Sequence, residues 1–110
     1  MKGFFITGTD TGVGKTYFTA LLTRALRQQS IPAIPLKPIS AGDRSDSIIL
    51  SEACGGVVSP AELNPVHFTA PLSPYAASML ESRPFPWGIL REKMKKLTEN
   101  YPGPFLIEGA

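Results

Sequence analysis

Gly8-Thr9-Asp10-Thr11-Gly12-Val13-Gly14-Lys15-Thr16 is the stretch on which the reading of this chain turns. It follows the short apolar run Gly3–Thr7 (GFFIT), which reads as a buried strand, and it opens a segment of helical periodicity. Strand, glycine-rich turn and helix, in that order, are the context a phosphate-binding loop requires. Glycines let the backbone curl until several N–H groups face one set of anionic oxygens. The following helix presents its positive end, and Lys15 adds a full charge for the β- and γ-phosphates of a nucleotide. The Thr16 hydroxyl is suited to ligate a Mg²⁺ bridging those phosphates. Gly12, Val13, Gly14, Lys15 and Thr16 are therefore the expected nucleotide-binding residues. The loop is one residue longer than the general pattern: five residues, not four, separate Gly8 from Gly14-Lys15-Thr16. An ordinary glycine turn before an exposed lysine would leave Thr9, Thr11, Gly12, Gly14 and Lys15 unexplained as a group.

Outward from the loop, Thr16–Gln29 carries Phe18, Leu21, Leu22, Ala25 and Leu26 at helical spacing, and Pro32 ends it. Ala33–Leu36 predicts a second strand, which Pro35 confines to a short or edge position because proline donates no ladder hydrogen bond. Ser45–Ala53 predicts a second helix, capped by Ser45, apolar at Ile48, Ile49 and Leu50, and stopped by Gly55-Gly56. The proline-rich stretch Val57–Leu72 has no sustained period and reads as a long connection. Pro74–Glu81 is expected to be helical, with Ser73 as a cap and Pro74 in the permissive first turn. Trp87–Asn100 is another helix, after which Pro102-Gly103-Pro104 turns the chain into a last strand, Phe105–Ile107, leading to Glu108. The alternation predicts an α/β fold, P-loop NTPase-like, with a mainly parallel sheet flanked by helices and residues 1–110 forming one domain. Three strands make a thin core, so the sequence predicts an incomplete sheet and more protein beyond Ala110.

A formal charge of +2, from 11 basic and 9 acidic residues, is too balanced to suggest a nucleic-acid or membrane-surface protein. Cys54 stands alone, which excludes a disulfide or cysteine zinc site within the chain. No apolar run approaches the ~20 residues of a membrane span, and no signal-peptide pattern opens the chain, so a cytoplasmic location is expected. His67 has no partners at metal-binding spacing, Trp87 reads as a core anchor, and Arg91, Lys93, Lys95 and Lys96 read as a solvated helix face.

Lys37 follows the second strand directly, so it is expected at the same sheet edge as the phosphate loop. A second lysine there can hold charge developing on a transferring phosphoryl group or on an acidic substrate. Asp46, in the first turn of the second helix, and Glu108, at the end of the last strand, are candidate Mg²⁺ ligands.

In this order, Gly8–Thr16 with its longer spacing, Lys37-Pro38, Asn64-Pro65…Phe68…Pro71…Ser73-Pro74 and Ile107-Glu108-Gly109-Ala110 resemble dethiobiotin synthetase over essentially the whole chain. The resemblance implies ATP- and Mg²⁺-dependent closure of a ureido ring on 7,8-diaminopelargonic acid and CO₂, in biotin biosynthesis. A carbamate forms on one amine, the γ-phosphate activates it as a mixed anhydride, and the second amine closes the ring. By motif position Lys15 and Lys37 would stabilise carbamate and phosphoryl charge, Thr16, Asp46 and Glu108 would hold Mg²⁺, and Asp46 would also stand against the nucleotide. Thr11 and Ser40 are candidate substrate contacts, and a homodimer is implied for the full-length protein. Two positions depart from the family. Gly12 stands where members often carry glutamate, and Ala41 where they tend to carry Ser or Thr, the hydroxyl here lying one place earlier at Ser40.

Two alternatives differ in class. A partitioning or assembly ATPase would place a lysine early in the loop, where this chain has Asp10. A non-catalytic nucleotide-binding fragment would bind ATP without turnover, and the 110 residues by themselves are expected to be marginally folded and inactive.

Overall fold

A computed structural model of the chain describes residues 2–7, 14–69, 76, 79–80, 82 and 84–109. Strand β1 (Gly3–Ile6) precedes helix α1 (Gly14–Gln28), followed by the short strands β2 (Ile34–Leu36) and β3 (Ile39–Ala41). Helix α2 (Ser45–Ala53), the single turn α3 (Pro60–Leu63) and strand β4 (Val66–Phe68) come next. Helix α4 (Trp87–Asn100) and strand β5 (Phe105–Glu108) complete the described order. The main sheet has the order β1-β5-β2, all parallel, and β3 and β4 form a separate parallel pair. This is the parallel α/β, P-loop NTPase-like architecture that the alternation of elements implies.

The last strand in sequence is the middle strand in space. Its run Phe-Leu-Ile is apolar on both sides, as a central parallel strand must be. Phe105 and Ile107 enter one cluster with Leu36, Leu50, Leu63 and Leu97, whereas Leu106 joins Ile6 and Ala33 beneath Leu22 and Leu26. Gly3 pairs with Phe105, and a Cβ at Gly3 would stand 2.7 Å from the Phe105 carbonyl oxygen, so only glycine permits this approach. Pro35 lies on the edge strand as expected. The Ile34 N–H donates inward to the Pro104 carbonyl, so alternation turns the nitrogen of Pro35 towards the open edge, where a missing donor breaks no ladder bond.

Helix α2 has the bounds read from the sequence, but its cap and its buried face differ. Asp43, not Ser45, supports the helix start: its carboxylate accepts from the Ser45 N–H at 2.9 Å and from the Ser45 hydroxyl at 2.5 Å. Ser47, Leu50, Ser51 and Cys54 face inward while Ile48 is exposed, because the helix packs on α1 through small residues. At its end the Gly55 N–H donates to Glu52 and the Gly56 N–H to Ser51, with φ of 68° at Gly55, the paired bonds of a left-handed helix stop. Helix α1 ends in the same way with a serine, Ser30, in the left-handed position at φ 64°. There the Ser30 N–H donates to Arg27 and the Ile31 N–H to Leu26.

Two further expectations change. The connection Val57–Leu72 contains α3, started by a reciprocal Ser59–Glu62 capping box with Pro60 in the first turn, and β4, which pairs with β3. Trp87 is 63% exposed and packs its ring on Phe85 at 4.3 Å between centroids, so it anchors no core. Cys54, the single cysteine, is buried. The helix expected at Pro74–Glu81 lies mostly outside the described residues; Ala76, Met79 and Leu80 have helical backbone. Among the described residues no helix is long and apolar enough to cross a membrane.

Candidate active site

Parallel pairing sets the level of each strand end. Ile6 is opposite Glu108 and Leu36 opposite Ile107, so Lys37, one residue on, comes level with Glu108. The chain leaves β1 at the same level after Ile6, and α1 begins at Gly14. Residues from three distant parts of the sequence thus meet at the C-terminal edge of the sheet, where open parallel sheets bind ligands.

The rotation of α1 serves this edge. Thr16, Thr19, Ala20 and Thr23 form one stripe at 100° per residue, and all four are buried. The apolar stripe read from the sequence points elsewhere: Phe18 and Leu21 are 57% and 64% exposed, with only Leu22 and Leu26 partly covered. Thr19 and Thr23 satisfy their buried hydroxyls on the carbonyls of Lys15 and Thr19, each at 2.8 Å. Thr16 instead reaches across to β5 and donates to Glu108 Oε1 at 2.7 Å.

Glu108 is 1% exposed, and its second oxygen, Oε2, has no hydrogen-bond partner among the described residues. A buried carboxylate oxygen left unpaired is costly, and a cation is the partner that such an atom suits best. Donation by Thr16 uses the single proton of its hydroxyl, which leaves the lone pairs of Thr16 Oγ1 for a metal. The Lys37 ammonium stands 2.6 Å from Asp46 Oδ2 and 4.0 Å from Glu108 Oε1, so it spans the two carboxylates. Among the described residues no group of three or more His, Cys, Asp or Glu stands together as a metal cage. Two carboxylates and a hydroxyl nevertheless fit Mg²⁺, which keeps waters and takes phosphate oxygens for the rest of its octahedral shell.

The structure therefore brings together Thr16, Lys37, Asp46 and Glu108. Gly14 and Lys15 form the first turn of α1 beside them, whereas Thr11, Gly12 and Val13 lie outside the described residues. Ser40 is not turned towards this cluster. Its hydroxyl is buried, donating to Asn64 Oδ1 at 2.9 Å and lying 2.9 Å from His67 Nδ1, because β3 pairs Ser40 directly with His67. Asn64 is a polar side chain at this site to which residue-by-residue reasoning gave no role. An asparagine two residues after the Ser59…Glu62 capping-box pattern was the available signal. An apolar groove lined by Lys2, Gly3, Phe4, Leu26, Ile31 and Pro104 lies at the opposite ends of the strands, remote from these groups.

A family model described as an AAA domain matches residues 2–110. The chain belongs to this AAA domain family. It is also similar to proteins named ATP-dependent dethiobiotin synthetase. That of Anaeromyxobacter sp. (strain Fw109-5) is 39% identical over 114 residues, covering all of this chain and 51% of the relative. Those of Akkermansia muciniphila and Aquifex aeolicus are 44% and 41% identical, over 74% and 96% of this chain and 38% and 48% of the relatives. The resemblance read from the motifs is thus borne out across the AAA domain chain. The chain spans about half the length of the curated relatives it matches.

Proposed function

We propose that this AAA domain chain is the phosphate-handling part of an ATP-dependent dethiobiotin synthetase that closes the ureido ring of dethiobiotin. The observation that carries the proposal is the placement of the Lys37 ammonium between Asp46 and Glu108, beside Thr16, at the edge where the phosphate loop leaves β1. The names of the relatives support the choice of reaction within the many that phosphate loops serve.

In this reading the substrate is 7,8-diaminopelargonic acid carrying a carbamate formed from CO₂ on one amine. A carbamate oxygen attacks the γ-phosphorus of ATP, and ADP leaves as the carbamic–phosphoric anhydride forms. The second amine then attacks the carbonyl carbon; the new C–N bond closes the ring as the C–O bond to phosphate breaks. Mg²⁺, when bound, neutralises charge on the phosphate oxygens. Thr16, Asp46 and Glu108 would hold it, and Lys15 and Lys37 would stabilise charge on the phosphoryl group and the carbamate. Such a reaction needs positioning and preorganised charge more than a strong base. Thr11 and the backbone of Gly12, Val13 and Gly14 would complete the cradle, and Ser40 would act only indirectly. The proposal extends to a homodimer of the full-length protein in the cytoplasm.

The test is phosphate release from ATP by the protein as its gene encodes it, with and without the diamine and bicarbonate. Release that depends on the diamine, with dethiobiotin formed, is expected. ATP binding without diamine-dependent turnover would overturn the proposal in favour of a nucleotide-binding module.

A further inference from the structure

Asn64 is 1% exposed and takes no part in the chemistry just described. Its Nδ2 donates to the Lys37 carbonyl at 2.7 Å and to the Val66 carbonyl at 3.3 Å, and its Oδ1 accepts from the Ser40 hydroxyl. The Lys37 N–H in turn donates to the Leu63 carbonyl at 2.9 Å. Both peptide groups flanking the Lys37 Cα are therefore held by two consecutive residues, Leu63 and Asn64. Pro38 adds a constraint from the other side, since a residue before proline is confined to extended backbone. The support is itself anchored, because α3 carries a capping box and the Asn64 N–H donates to the Pro60 carbonyl at 3.1 Å.

We infer that Asn64 is the positioning residue of Lys37. Its amide brackets the junction between β2 and β3, so that the lysine stem leaves the backbone in the one direction that brings Nζ onto Asp46 and within reach of Glu108. A side chain needed only to fill the space beneath β3 would not place both donors on carbonyls of two different segments. The Ser40 hydroxyl, between Asn64 and His67, extends the same bracket. The functional consequence rests on the proposed role of Lys37; the positioning itself does not.

The experiment separates the two. Acetylation of each lysine by acetic anhydride is followed by peptide mass spectrometry, with the exposed Lys93 of α4 as internal reference. In the wild-type protein Lys37 is expected to react more slowly than Lys93, because its amine is paired and largely covered. Asn64→Ala raises the Lys37-to-Lys93 ratio several-fold. Asn64→Asp, which keeps the shape and removes both donors, does the same and serves if the alanine variant does not fold. An unchanged ratio in a folded variant overturns the inference, even if the melting temperature falls. In turnover, Asn64→Ala lowers kcat by up to about 10²-fold with KM for ATP unchanged. Combined with Lys37→Ala it adds no further loss, whereas losses that multiply overturn the inference. If Lys37→Ala alone leaves turnover intact, the proposed function is what fails, and the acetylation ratio still decides the role of Asn64.

Discussion

The Thr16 hydroxyl donates to Glu108 Oε1 at 2.7 Å, joining residues 92 positions apart. This bond ties the rotation of α1 about its axis to the carboxylate of β5 at the C-terminal edge of the sheet. It also leaves Glu108 Oε2 as a buried acceptor with no partner among the described residues.

Glu108→Gln keeps an acceptor for Thr16 and removes the charge. Turnover is expected to fall by at least the roughly 10–100-fold that orienting partners of a metal site cost. The dependence of nucleotide binding on Mg²⁺ should flatten, as read by titration calorimetry, while the circular dichroism spectrum is retained. Wild-type turnover in this variant would remove Glu108 from the metal shell.

Thr16→Val is nearly isosteric but leaves both buried oxygens of Glu108 without the Thr16 proton. An expected loss of about 1–3 kcal/mol would appear as a lower urea midpoint with unchanged slope. A midpoint equal to that of the wild type would show that the bond contributes nothing to the fold.

Lys37→Ala removes the cation that spans Asp46 and Glu108. Losing one group that stabilises transition-state charge costs about 10²–10³-fold in kcat, and steady-state kinetics should show a loss of that order. ATP affinity, which the proposed function assigns mainly to the loop and Lys15, should change much less.

The acid limb of stability should carry a contribution from Asp43. Hydrogen bonds from the Ser45 side chain, then from its N–H, hold the Asp43 carboxyl below its ordinary value of 3.8, with the charges of His67 and Lys37 adding to the effect. A folded-state value below the unfolded one means that the ionised form stabilises α2. The contribution is complete above the unfolded value and is lost as pH falls through the folded one. Asp43→Asn keeps an acceptor without a charge. The difference in melting temperature between wild type and Asp43→Asn should therefore shrink as pH falls below about 4. A pH-independent difference would exclude the ionised carboxylate as the cap.

Ser30→Gly should stabilise the protein. Ser30 occupies the left-handed stop of α1 at φ 64°, which costs an L residue about 1–2 kcal/mol. Glycine relieves this but gives back part of it to the greater entropy of the unfolded chain, so a net gain of about 0.5–1 kcal/mol is expected from denaturant unfolding.

Much of the frame was legible because it is written in local signals. Gly55-Gly56 stopped α2, Pro35 forced β2 to an edge, and the end of each apolar run placed Lys37 and Glu108 at one level. The Ser59–Glu62 capping box is an equally local signal, but the prolines around it mask a single turn. The buried face of α1 was not legible from hydropathy, since a periodicity argument assigns the apolar stripe to the interior. Here Thr16 must face Glu108, and the helix turns its threonines inward to allow it. The pairing of β3 with β4 joins segments too short to carry a period, so only tertiary contact reveals it. The bracket around Lys37 escaped for the same reason, as it depends on which backbone groups an amide meets.

The strand order has a consequence for the sequence of events in folding. Among the described residues β1 and β2 do not pair with each other; each pairs only with β5, the last of the described elements. Closing the main sheet therefore fixes the long span between β1 and β5, a non-local step that of the earlier strand pairings only β3–β4 shortens. A nascent chain stopped before Phe105 holds two strands with nothing between them and a Thr16 with no carboxylate to meet. The sheet and the phosphate edge should therefore appear together in a single cooperative step when β5 arrives.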